Sequence, residues 1–130
     1  MKNKMIAAAV AVLAGATIFS SCKKTTDEDK TAPTLTITHP VANDTVSASG
    51  FHIMATMGDN DDLHEASVSL TSGTDTFLMV APYVHELSTY TYDTMMMVSV
   101  AGVRQATLKI HVEDHHENMT DKSVSFFIKP

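Results

Sequence analysis

The chain has 130 residues, with 9 basic side chains against 15 acidic ones and a formal net charge of −6. That length gives room for one domain and one core, since single domains cluster at roughly 100–150 residues. The acidic balance argues against nucleic-acid binding, which needs a basic patch, and against tight docking on anionic lipid. The single cysteine rules out an internal disulfide, so the core must hold by burial alone.

Met1 to Lys4 supply a basic start, and Met5 to Phe19 form an uncharged apolar run. The run is short for a bilayer span, which takes about 20 residues, but suits the core of a secretory signal peptide. Residues 1–21 are therefore expected to be a signal peptide. Ile18-Phe19-Ser20-Ser21-Cys22 resembles a lipobox, which implies that Cys22 is lipidated and becomes the new first residue. Phe19 stands where leucine is usual, as it does in the relaxed lipoboxes of Bacteroidota-type lipoproteins. The alternative is an ordinary signal peptide followed by an incidental cysteine. Cleavage removes Lys2 and Lys4, leaving 7 basic residues against 15 acidic ones.

Residues 22–31 are polar and charged and are expected to form a flexible tether. The nine residues after Cys22 reach roughly 30 Å when extended. Asp27-Glu28-Asp29 resembles the acidic signal that directs some lipoproteins to the outer face of the outer membrane, though a solvated linker has the same composition. The expected location is the cell envelope, lipid-anchored in the outer membrane on its periplasmic or surface face.

From Pro33 onward the dominant period is two, the signature of strands. Leu35 and Ile37 alternate with threonines in a first strand that ends at His39-Pro40. Phe51, Ile53, Ala55 and Met57 share one face of a second. Val68 and Leu70 mark a third, closed by a turn at Ser72-Gly73. Thr74 to Val80 gives a fourth, ended by Pro82, and Thr89 to Val98 a fifth, with a turn at Ala101-Gly102. Leu108, Ile110 and Val112 point inward from a sixth, and Val124, Phe126 and Ile128 from a seventh. No stretch after residue 30 keeps a helical period, and β-branched and aromatic residues are plentiful.

Seven short strands in about 100 residues predict an all-β, seven-stranded immunoglobulin-like β-sandwich over residues 32–130. The cysteine pair and buried tryptophan of antibody domains are missing, so the likeness is one of architecture. Ala32-Pro33-Thr34, the run Gly58-Asp59-Asn60-Asp61-Asp62-Leu63, and Val112-Glu113-Asp114 with Asn118 carry a closer resemblance. They are similar to the immunoglobulin-like domains of Bacteroidota lipoproteins of unknown function. That resemblance covers roughly residues 32–130 and bears on fold; many functions share such sandwiches.

In a sandwich of this kind the loops after the second and sixth strands share one end. Counting reversals adds the loop after the fourth strand and the start of the first. This brings Asp59, Asn60, Asp61, Asp62, His64 and Glu65 towards His85 and Glu86, and towards the run Asp114-His115-His116-Glu117-Asn118. Crowded carboxylates repel one another, and a cation is the usual relief. Asp59, Asn60, Asp61 and Asp114 offer the hard oxygens that Ca²⁺ prefers, whereas His64, His85, His115 and His116 suit Zn²⁺, Ni²⁺ or Cu²⁺. The aspartates lack EF-hand spacing, and a solvated polar cluster is the third reading. Met95-Met96-Met97 sends alternate thioethers to opposite faces, and core filling is the favoured role for methionine over Cu(I) binding. Tyr83, Tyr90 and Tyr92 are read as edge-strand packing, and His39 and His52 as surface residues. Asp44-Thr45-Val46 and Asp93-Thr94-Met95 resemble short O-glycosylation sites.

Cys22 is consumed by lipidation, and neither a Gly-x-Ser-x-Gly elbow nor a phosphate-cradling glycine loop is present. The expectation is therefore a non-enzymatic, monomeric, lipid-anchored module that binds a protein, a glycan or another envelope component, with a calcium-type ion at its loop pole. One alternative is a metal-handling protein that holds copper or zinc through histidine, with or without methionine; a third reading is an enzyme whose acid–histidine pole is an active site.

Overall fold

The computed structural model describes residues 28–130. Cys22, the lipobox and the signal segment lie outside the described residues. Seven strands follow in order: β1 (Thr34–His39), β2 (Thr45–Ser47), β3 (Phe51–Ser72), β4 (Asp75–Val80), β5 (Leu87–Met96), β6 (Arg104–Asp114) and β7 (Met119–Lys129). The described residues are all-β and contain no helix. They form one sheet that curls over on itself.

The curl is made by β3, whose 22 residues serve both wings of the sheet. From Phe51 to Gly58 it pairs antiparallel with β1 on one side and β5 on the other. From Leu63 to Ser72 it pairs with β4 and β6. Between Gly58 and Leu63 the register shifts, and Asp62 takes a left-handed φ of 63°. A bulge of this kind bends a strand and raises its twist. Gly58 sits where the bend begins, and the approach there is close. A Cβ at this position would come within 3.2 Å of the Ser88 carbonyl and 3.3 Å of the Thr89 methyl.

β6 continues the second wing to β7 along an antiparallel register, and β2 closes it by pairing parallel to β7. The chain thus leaves the first wing after β1 and joins the second at β2. Ala48 donates its N–H to the Lys129 carbonyl at 2.7 Å, and Phe127 donates to Asp44 at the same distance, so this short edge is fastened along its length.

One apolar core lies between the wings. Ile53 and Ala55 from the first half of β3 meet Val68 and Leu70 from its second half, with Leu108, Ile110, Val112, Phe126 and Ile128. Phe51 and Phe126 cross the gap edge to face, with ring centroids 5.9 Å apart, a favoured aromatic geometry.

The alternation read from the sequence is present: Phe51, Ile53, Ala55 and Met57 are all buried, as are Leu108, Ile110 and Val112. Three features differ. The second and third expected strands are one continuous strand, so the Asp-rich segment is a bulge within β3. The three-residue β2 carries too short an alternation to register. Among the described residues, methionine is core at Met57 and Met96, whereas Met54, Met79, Met95, Met97 and Met119 are exposed. No helix among the described residues is long and apolar enough to cross a membrane.

Candidate metal centre

Leu63 explains why the polar residues gather where they do. It is fully buried just past the bulge and pairs with Leu87 of β5 and with Asp114 of β6. The residues flanking these three positions are therefore held side by side at one end of the sheet: His64 after the bulge, His85 before β5, and His115 after β6.

His85 is set by a tight turn. Val84 beside it is 1% exposed and anchors the loop in the core. Leu87 donates its N–H to the Val84 carbonyl, Glu86 donates to the Leu63 carbonyl, and Glu86 takes a φ of 62° to make both bonds. His115 is set by the β6–β7 turn, in which Asp114 donates its backbone N–H to the Asn118 carbonyl at 3.0 Å.

The three imidazoles converge. Ring centroids are 4.7 Å apart for His64 and His115, 4.9 Å for His85 and His115, and 5.2 Å for His64 and His85. The planes are inclined by 53–87°, so the rings are not stacked. One ligand nitrogen from each lies within 4.8 Å of the others. Tetrahedral zinc, at about 2.0–2.1 Å from each nitrogen, needs nitrogens about 3.3 Å apart. His64 and His115 are exposed and His85 is half-buried, so the rings have room to turn towards a common ion. Tyr83 lies against the outer side of His85, ring centroids 6.3 Å apart. Glu86 approaches His85 Nδ1 only to 3.9 Å, beyond hydrogen-bond reach.

A second polar group sits beside the first and is built differently. Asp114 is 1% exposed. Its Oδ1 accepts the backbone N–H of His116 at 2.7 Å and of Asn118 at 2.9 Å, and its Oδ2 accepts the Asn118 side-chain amide at 2.7 Å. Burial pushes the Asp114 carboxyl up, but the Asn118 and His116 hydrogen bonds and the nearby His116 ring outweigh it. Its pKa therefore lies below the ordinary 3.8. The Asp29 carboxyl is also held low, chiefly by the Thr31 backbone N–H.

Asp29 joins the tether to this end. Its Oδ2 accepts from the Asn60 amide at 2.9 Å, and its carbonyl accepts from the Asn118 amide at 3.0 Å. Asp29, Asp114 and His116 also place one ligand atom each within 4.8 Å of one another. Asp61 donates its backbone N–H to Asp59 Oδ1 at 2.9 Å. Its Oδ2 lies 3.3 Å from His116 Nδ1 without hydrogen-bond alignment, and Asp59 Oδ2 is shielded from solvent without a partner.

The residues singled out in the sequence thus divide. His85 and His115 join His64 in an all-nitrogen group. Asp114 belongs with Asp29 and His116, Asn60 clamps the tether, and Asp59 and Asp61 shape the bulge. Asp29 was not read as a site residue, because a charged residue in a polar leader carries no sign that it docks.

No protein-family model matches the chain, and no curated protein is similar to it. Among solved structures, an engineered protein determined at 1.98 Å is similar in fold, with a TM-score of 0.56 and 10% identity. The match covers 75% of this chain and 20% of that one, so this chain corresponds to about a fifth of its length.

Proposed function

We propose that the chain is a lipid-anchored immunoglobulin-like sandwich of the cell envelope that holds a transition-metal cation, Zn²⁺ or Cu²⁺, on His64, His85 and His115. The observation that carries this reading is the convergence of three imidazoles from three separate segments. Imidazole nitrogen suits zinc, copper and nickel, and three such ligands are a common core of metal sites. The two-wing arrangement, with β2 beside β7 and β1 beside β3, supports the sandwich reading. Cys22 supports the anchor through the lipobox resemblance alone.

Calcium fits less well. It takes six to eight oxygen ligands, and the best-buried carboxylate, Asp114, already accepts three hydrogen bonds from its own turn. The histidine group offers three imidazole nitrogens, donors that suit a divalent zinc or copper ion.

Calorimetric titration of the metal-free protein tests the proposal. Zn²⁺ or Cu²⁺ is expected to bind at one equivalent, and His85→Ala and His115→Ala are each expected to abolish that binding. Binding that survives both substitutions would place the ion elsewhere. A response to Ca²⁺ alone would return the site to the aspartates.

A further inference from the structure

We propose that the His64–His85–His115 centre, when it carries Zn²⁺, is an open Lewis-acid site that activates water and hydrolyses small, accessible esters. This rests on the metal-binding reading and adds to it a reactive fourth position.

Three features of the site lead there. The group supplies three ligands, whereas structural zinc sites are closed by four protein donors. His64 and His115 are exposed, so the remaining position opens to solvent rather than into the core. All three donors are imidazoles, which bind as neutral ligands and leave the charge of the ion undiminished. A zinc ion held this way lowers the pKa of bound water towards about 7.

The surroundings fit a small, exposed substrate. His64 and His115 are exposed, and Tyr83, 78% exposed, offers an aromatic surface beside His85. His64, His85 and His115 would hold the ion, which would supply a hydroxide as nucleophile. Its oxygen would form a bond to the acyl carbon as the bond from that carbon to the leaving oxygen breaks, the leaving group departing with the electron pair. The carboxylic acid so formed would give its proton to the buffer and dissociate as the carboxylate, and a new water would bind and give up a second proton to the buffer. No oxidant or reductant is needed.

The test uses the full chain, freed of metal with a chelator and given one equivalent of Zn²⁺. Competition with a chromophoric chelator measures binding, and release of para-nitrophenolate from para-nitrophenyl acetate measures hydrolysis. The loaded protein is expected to exceed equimolar aqueous Zn²⁺ by roughly tenfold or more, since the site both acidifies water and holds it in place. His64→Ala and His115→Ala are expected to remove the excess. His52→Ala should retain it, because His52 pairs with Asp93 on the outer face of the first wing at 2.7 Å. Circular dichroism of each variant separates loss of the site from loss of the fold.

Failure to bind zinc would overturn the metal reading and this inference together. Tight zinc binding without excess hydrolysis would overturn only this inference. So would X-ray absorption showing four protein donors, or a zinc-bridged dimer in which a second copy fills the open position.

Discussion

Asp114 shows how one side chain can organise a turn. Three N–H donors point at its carboxylate, from a residue that is 1% exposed. Removing it in Asp114→Ala strands those donors and is expected to cost about 3 kcal/mol, read as a lower denaturation midpoint. The pH dependence follows from its depressed pKa. The folded state favours the ionised form, so this stabilisation is complete above the unfolded value near 4. It is lost as pH falls through the lower folded value. Asp114→Asn is expected to flatten that acid limb of the melting-temperature profile; an unchanged limb would assign it to other carboxylates. At the opposite turn, Arg104 donates from Nε to Ser72 Oγ at 2.7 Å and from Nη2 to the Ser72 carbonyl at 2.8 Å. It also reaches Asp75 at 2.7 Å and lies over the Phe77 ring. Lysine cannot reproduce that fork. Arg104→Lys is expected to destabilise the domain by about 1–2 kcal/mol, most of it from the bonds to buried Ser72 rather than the exposed ion pair.

Among the elements, the β6–β7 turn links two groups that the sequence leaves separate. His115 faces the histidine group, while Asn118 of the same turn clamps Asp29. The β3 bulge does the same with His64 on one side and Asn60 on the other. An ion that fixes His64 and His115 therefore restrains both clamps on the tether, and linkage makes the effect reciprocal. Zinc is expected to slow amide exchange at Thr31, whose N–H donates to Asp29. Asn118→Ala is expected to weaken zinc binding by about fivefold. Exchange at Thr31 that ignores zinc would show the two groups to be independent. The gathering of residues near 60, 85 and 115 was legible, although the Asp-rich segment is a bend within β3 and not a loop at a strand reversal. The separation of His116 from the other three histidines, into a group with Asp29 and Asp114, was not. It depends on Leu63 pairing with both Leu87 and Asp114, and a register of that kind leaves no trace in side-chain alternation.

At the scale of the molecule, alternation separates the faces of the methionine run, but the expectation that methionine fills the core holds only in part. A period of two identifies two faces but does not say which of them a partner wing covers. Met57 and Met96 face the core at 3% and 8% exposure, whereas Met79 and Met97 are each 76% exposed and Met95 59%. The sequence places Met96 on the face opposite Met95 and Met97; only the curl at β3 decides which side is interior. Oxidation of a methionine turns an apolar thioether into a polar sulfoxide, which is disruptive in a core and nearly neutral in water. Mild peroxide treatment is therefore expected to oxidise Met54, Met79, Met95, Met97 and Met119 first, with little change in melting temperature. Met57 and Met96 are expected to react only once the domain opens, so peptide mass spectrometry across a denaturant series should show them oxidising along the unfolding transition. Early reaction at Met57 would mean that the two wings separate before the domain unfolds, because its thioether is covered only while the first half of β3 stays packed against the second wing.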